Sequence, residues 1–466
     1  MSQNDDEKRR ASRRHFLTGA AGLAAAAGAG LGVGATEAAP EMSGRAAPLP
    51  QDRVEPFRGP HQGGIITPAQ KHTYFAAFDL VTGERREVAK LLQAWTAAAA
   101  RMCAGKTAQP LTDALNPVPS AASPGHSNAP IAYGPASSAY GPQSPSPGPI
   151  AMGADTGEAL GMSPERLTLT FGFGASLFVK DGKDRYGLAS RRPAALIDLP
   201  KFVGDELIAS QSDGDLSVQA CADDPQIAFH AVRQLARIGE AIAHIRWVQT
   251  GFLPSSGRET PRNLMGFKDG TVNPPIRDAK AMNQFVWVGA EGPDWMRGGS
   301  YVIARRIRMA LEHWDRVSVA FQEQTFGRHK YDGAPLGRKG EFDSLDLNAT
   351  DKDGNPVIPE NAHVRLAAAA TNDGAQILRR PYSYDNGFDF VAERWPPWRA
   401  EPEYDAGLLF ICYQRDPRAG FIRIFERMSR FDMLNQFVTH VSSALFACPR
   451  GTAEGEYVGQ RLLESA

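Results

Sequence analysis

Residues 215–238 read DLSVQACADDPQIAFHAVRQLARI. Asp215 to Cys221 predicts a strand. Asp224-Pro225 then opens a helix running to about Ala243. Aspartate accepts hydrogen bonds from the orphan amides of a first turn, and proline suits the first helical position. Upstream, His72 to Leu80 (HTYFAAFDL) predicts a strand. Glu84 to Cys103 predicts a helix, with Val88, Leu91, Leu92 and Trp95 at helical spacing. Arg166 to Val179 predicts a strand followed by a glycine-marked turn, and Ile245 to Leu253 predicts another strand. The order is β-α-β-β-α-β, the ferredoxin-like unit.

The second half repeats this order. Ser300 to Ala310 predicts a strand and His313 to Phe326 a helix; Ile377 to Tyr384 and Gly407 to Arg415 predict strands. Asp416-Pro417 then opens a helix 192 residues after Asp224-Pro225. Each Asp-Pro pair follows a strand with a cysteine (Cys221, Cys412) and precedes a phenylalanine (Phe229, Phe421) by the same interval. The expected fold is α+β: two ferredoxin-like halves, residues 61–258 and 259–466, of the dimeric α+β barrel type. The Asp269 loop falls at the start of the second half.

The chain has 466 residues, a net charge of −1 and 42% hydrophobic residues. It is long enough for two or three domains, and it lacks the basic balance of a nucleic-acid binder. Ser12-Arg13-Arg14-His15-Phe16-Leu17 precedes an uncharged Ala/Gly/Leu stretch from Thr18 to Thr36, with small residues around Glu37-Ala38-Ala39. Residues 1–38 therefore read as a twin-arginine export signal, which predicts a folded protein delivered to the periplasm or outside the cell. No other apolar run is long enough for a membrane span. Residues 39–60 read as a linker. Residues 105–150, dominated by Pro, Ser, Gly and Ala, read as a surface insertion. Cys103, Cys221, Cys412 and Cys448 form no Cys-x-x-Cys, so zinc, iron–sulfur and c-type haem signatures are absent.

Three short runs carry chemistry. Asn263 to Pro275 (NLMGFKDGTVNPP) sets one carboxylate, Asp269, between Gly266 and Gly270. Glycine allows close approach and positive φ, so such a loop presents a carboxylate to a flat ligand. Among ten histidines, His363 stands in Asn361-Ala362-His363-Val364-Arg365-Leu366, followed by the small residues Ala367 to Ala370. Ile377-Leu378-Arg379-Arg380 follows. Only one of those adjacent arginines can enter a given pocket, because neighbouring strand residues face opposite ways.

The Asp269 run resembles the Gly-Phe-x-Asp-Gly signature of the dye-decolourising haem peroxidases. Residues 326–336 resemble that family's Gly-Arg-x-Lys-x-x-Gly-Ala-Pro segment. The resemblance covers most of the chain beyond the signal and is closest in pattern to the twin-arginine-secreted branch. It implies one haem b per chain in the C-terminal half. His363 would be the axial ligand of the iron, Asp269 the distal acid–base group and Arg379 the distal cation, with Arg380 as the rival. Gly270, Thr271, Val272 and Ala368, Ala369 and Ala370 would line the haem. Proximal ligands usually donate their other N–H to a carboxylate; Asp405 is the candidate, with Asp389 as its rival.

The implied reaction uses hydrogen peroxide to oxidise dyes, phenols or other small reductants through a ferryl intermediate. An acidic optimum is expected, since the reference pKa of Asp is about 3.9 against about 6.5 for His. Surface electron relay by Trp395, Trp398, Tyr382 or Tyr384 competes with core burial of the same side chains. Members resembling this branch have been called deferrochelatases, so release of iron from haem is the alternative activity. A homodimer and iron-uptake partners stay open.

Overall fold

The computed structural model describes residues 53–111, 154–254, 260–392 and 400–464. In the first half run β1 (His72–Leu80), α1 (Arg85–Cys103), β2 (Thr168–Gly174), α2 (Ala175–Phe178), β3 (Leu216–Ala222), α3 (Pro225–Ile238) and β4 (Ala243–Phe252). A short helix, α4 (Ala279–Phe285), leads to β5 (Ser300–Met309), α5 (Leu311–Trp314), α6 (Val319–Phe326) and α7 (His363–Ala367). Then follow β6 (Leu378–Arg379), β7 (Tyr382–Ala392), β8 (Ala400–Gln414), α8 (Arg423–Phe431), β9 (Val438–Cys448) and α9 (Gln460–Glu464). The expected export signal and most of the insertion lie outside the described residues.

Within each half the strands take the ferredoxin-like order. The first-half order is β2-β3-β1-β4 and the second-half order is β9-β5-β8-β7. All these pairs are antiparallel. The halves join where β2 meets β9 (Phe173 opposite Ala447, Gly174 opposite Phe446) and where β4 meets β7 (Phe252 opposite Ser383). Because β5 pairs with β8 as well as β9, the sheet closes into a barrel.

Alternation along each strand sorts the side chains between two cores. Phe75 and Ala77 of β1, Val302 and Ala304 of β5, Leu409, Ile411 and Tyr413 of β8, and Ala444 and Phe446 of β9 share one buried cluster. Ala76 and Phe78 face the other way and pack with Val88, Leu91, Leu92 and Trp95 of α1. Burying one such side chain contributes about 1.5–3 kcal/mol. Asp224 caps α3 as expected, accepting from the amides of Gln226 (2.7 Å) and Ile227 (3.3 Å). All four cysteines are buried and unpaired.

Several boundaries differ from the sequence reading. Helix α3 stops at Ile238, where Gly239 ends it, and Ala243 already starts β4. The single helix expected over 313–326 is two, because Ser318 caps a new start by accepting from the amide of Phe321. The strand expected over 377–384 breaks at Arg380-Pro381, where proline cannot donate to a ladder. The second Asp-Pro pair leads through a π-turn (Arg418–Ile422) before α8. The two phenylalanines of the repeat also diverge: Phe229 is 43% exposed, while Phe421 is buried.

His440 of β9 is buried, its ring is 4.8 Å from that of Phe425, and its Nδ1 has no hydrogen-bond partner among the described residues. Burial, and then the nearby Arg305 guanidinium, push its pKa well below the usual 6.5. His440 is therefore neutral when folded, and the unfolded chain takes up the extra proton. Its contribution is complete above pH 6.5 and is lost as the pH falls toward the folded-state pKa, by about 1.4 kcal/mol per pH unit. His440→Gln should flatten the decline in urea stability between pH 6.5 and 5. An unchanged pH slope would contradict this account.

Candidate active site

The Asp269 loop is built from its own backbone outward. Asn263 Oδ1 accepts from the amides of Met265 (3.1 Å) and Phe267 (3.3 Å), and the Asn263 amide donates to Phe267 O (2.9 Å). Gly266 and Gly270 take φ of +86° and +107°, where a side chain would be strained. Phe267 anchors the loop in a small aromatic core. It stacks on Phe326 with ring centroids 4.0 Å apart, and Trp314 Nε1 donates to Met265 O at 3.1 Å. On the other flank, Lys268 pairs with Glu341 at 2.6 Å, and Thr271 Oγ1 donates to the same carboxylate at 3.0 Å. Against desolvation, the hydrogen bonds from Lys268, Thr260 and Thr271 hold Glu341 below its ordinary pKa.

Asn273 ties this loop to β6. Its Nδ2 donates to Arg379 O at 2.8 Å, and the Arg379 amide donates to its Oδ1 at 3.1 Å. Arg379 Nη1 then reaches Asp269 Oδ1 at 3.2 Å. Arg380 points the other way. It is buried against Thr67 O and Gln70 Oε1, so Arg379 is the arginine that meets the carboxylate.

His363 opens α7. Phe326, which also stacks on Phe267, lies 5.7 Å from the His363 ring. Gly327 lets the two segments approach: its φ is +81°, and an added Cβ would fall 2.6 Å from Val364 Cγ2. His363 Nδ1 bonds Asp432 Oδ2 at 2.7 Å. Asp432 is buried and is itself held by the Leu434 amide, at 2.8 Å from Oδ1. Burial alone would lower the His363 pKa. The charge and hydrogen bond of Asp432, then the charge of Asp269, raise it, while Arg379 opposes them. The imidazole thus feels both members of the Asp269–Arg379 pair. Of its side-chain surface, 29% stays accessible.

One expectation is corrected. Asp405 is not the partner of His363: it accepts from Tyr384 OH (3.4 Å) and Asn386 Nδ2 (2.9 Å) on the β7–β8 ladder. Asp432, just after α8, takes that place, and sequence reading missed it. Its signal was the Asp-x-Leu-Asn run at a helix end, an N-cap pattern, but nothing local links it to a histidine 69 residues away. The Asp389 side chain lies outside the described set. Ala368 and Ala369 are half-buried and Ala370 exposed, directly after α7; Val272 is exposed on the Asp269 loop. Tyr382 and Tyr384 are fully buried, and Trp395 and Trp398 lie outside the described residues.

Comparison with known proteins agrees with this geometry. The family description "Dyp-type peroxidase, N-terminal" matches residues 62–253, and "Dyp-type peroxidase, C-terminal" matches residues 260–453. The chain is 36% identical to a dye-decolorizing peroxidase of Thermobifida fusca over an alignment 493 positions long, gaps included, covering 100% of each. It is 33% identical over 464 residues to a deferrochelatase of Escherichia coli, covering 97% of each. The crystal structure of a DyP-type peroxidase from Streptomyces coelicolor matches with a TM-score of 0.74 and 41% identity, over 90% of this chain and 100% of that one.

The residues fit a haem. His363 has one nitrogen committed to Asp432, and its Nε2 makes no protein hydrogen bond among the described residues. At Gly270, beside Asp269, an added Cβ would meet no atom within 4 Å, so the loop leaves open space there. The buried Asp432 carboxylate orients the ring and makes it more basic. Asp432→Asn should weaken haem retention about 10–100-fold, measured as the rate of haem transfer to apomyoglobin; an unchanged rate would discount that role. Matches across both halves, and an end-to-end alignment at 36% identity, make this chain a member of the Dyp-type peroxidase family and a haem peroxidase.

Proposed function

We propose that this chain is an exported peroxidase that uses hydrogen peroxide to oxidise dyes, phenols or other small electron donors. The observation that carries the reading is the Asp269–Arg379 pair, whose charges both act on the His363 ring. Bound haem supplies a redox-active iron, which His363 Nε2 would hold. Asp269 takes a proton from one oxygen of hydrogen peroxide and returns it to the other, which leaves as water. Arg379 stabilises the negative charge that develops on those oxygens. Asn273 keeps the Arg379 backbone in register with the loop, so the guanidinium and carboxylate meet without reorganisation.

Export rests on the twin-arginine pattern of residues 12–17. No helix among the described residues is long and apolar enough to cross a membrane. A second reading, removal of iron from haem, is supported by the similarity to a deferrochelatase. The two readings differ in product: oxidised donor with intact haem, or free iron with intact protoporphyrin.

Asp269→Asn keeps the size of the side chain and removes its basicity. We expect kcat/KM for hydrogen peroxide to fall about 10²–10⁴-fold, with the haem content per chain unchanged. Full turnover in this variant would sink the acid–base role. Peroxide-independent release of iron from haem by the wild type would favour the second reading.

A further inference from the structure

Away from the haem site, the segment 154–162 packs against α3 and builds a second cluster of ligating side chains. Asp155 Oδ2 accepts from the Ala108 amide at 2.9 Å, and its Oδ1 from the Gly157 amide at 2.8 Å. Thr156 Oγ1 binds Glu158 Oε2 and is bound in turn by Gln234 Nε2. The other oxygen, Glu158 Oε1, is buried. It lies 3.1 Å from His230 Nδ1, and 3.4 Å from Nη1 of the half-exposed Arg233. His230 Nε2 lies 3.5 Å from Asp155 Oδ2, and the two side chains are only 7% and 2% exposed.

One ligand atom from each of Asp155, Glu158 and His230 lies within 4.8 Å of the other two. Two ligands at about 2.1 Å from one ion, spread at tetrahedral or octahedral angles, stand roughly 3.0–3.4 Å apart. The Glu158–His230 separation, 3.1 Å, has that value. Beside the cluster lies a cleft of about 70 Å³ that Asp155 and His230 line, with Lys106, Thr107, Leu160 and Met162 among its other walls. At about 30 Å³ per water, it has room for solvent to complete a coordination shell.

We propose that Asp155, Glu158 and His230 bind a divalent first-row transition cation, with Zn²⁺ the best match to one imidazole and two carboxylates. The ion takes one nitrogen of His230 and one oxygen from each carboxylate after small side-chain rotations. It fastens the 154–162 segment to α3, next to Ala108 beyond the end of α1. The site lies in the first half of the chain and shares no residue with the haem site.

The test uses the full, haem-loaded protein, stripped with a chelator and dialysed against Zn²⁺ alone. Elemental analysis reads zinc separately from haem iron. The wild type should retain one more zinc per chain than His230→Gln or Glu158→Gln, with affinity at least tenfold higher, and Zn²⁺ should raise Tm in the wild type only. Glu158→Gln keeps the fold testable if the histidine variant folds poorly. Equal zinc in wild type and variants, or none in any, would overturn the proposal and leave an imidazole held between two carboxylates.

Discussion

Strand β5 hydrogen-bonds along both edges, to β8 on one side and β9 on the other. That double pairing makes β5 an interior strand with no open edge, and the β2–β9 and β4–β7 seams then close the two ferredoxin-like sheets into a barrel. An unpaired edge strand exposes a row of unmet amides and carbonyls, so closure satisfies the backbone as well as the core. The two seams between halves are short, one of them the single pair Phe252–Ser383. The interdigitated Phe75 and Trp247 of the first half and Tyr413 and Phe446 of the second therefore reinforce the union.

The active site depends on that closure because its parts come from separate places on the second half. Leu378 and Arg379 pair with Tyr413 and Cys412 of β8, and this register aims Arg379 at the Asp269 loop. The loop is moored by Asn273 on one flank and by Phe267 on the other. Phe326 touches both Phe267 and His363, so the carboxylate side and the imidazole side share one aromatic spacer. Asp432 holds the far nitrogen of the ring. Each reactive side chain thus has a backbone anchor and a second contact, the arrangement that pre-organises charge for catalysis.

Much of this was legible in the residues. The strand–Asp-Pro–helix run gave the ferredoxin-like order, since capping and periodicity are local properties. The family resemblance points to Asp269, His363 and Arg379, and the structure brings their charges within reach of one another. The failures were equally local in origin. Ser318 capped a new helix inside a stretch that reads as one, and Pro381 interrupted a run whose composition reads as one strand. Asp405 is the sequence candidate because it precedes an apolar strand, a cue that says nothing about a partner across the fold, and Asp432 carries no such cue.

The sequence by itself determined the order of elements, the two-fold repeat of the pattern, the Asp-Pro cap of α3 and the small set of residues able to do redox and acid–base chemistry. These follow from spacing and side-chain type within a few residues. Only the tertiary structure decided that Arg379 rather than Arg380 meets Asp269, that Asp432 orients His363, and that Asp155 and Glu158 flank the buried His230. Those choices depend on strand register and on the meeting of segments far apart along the chain, which no local rule encodes.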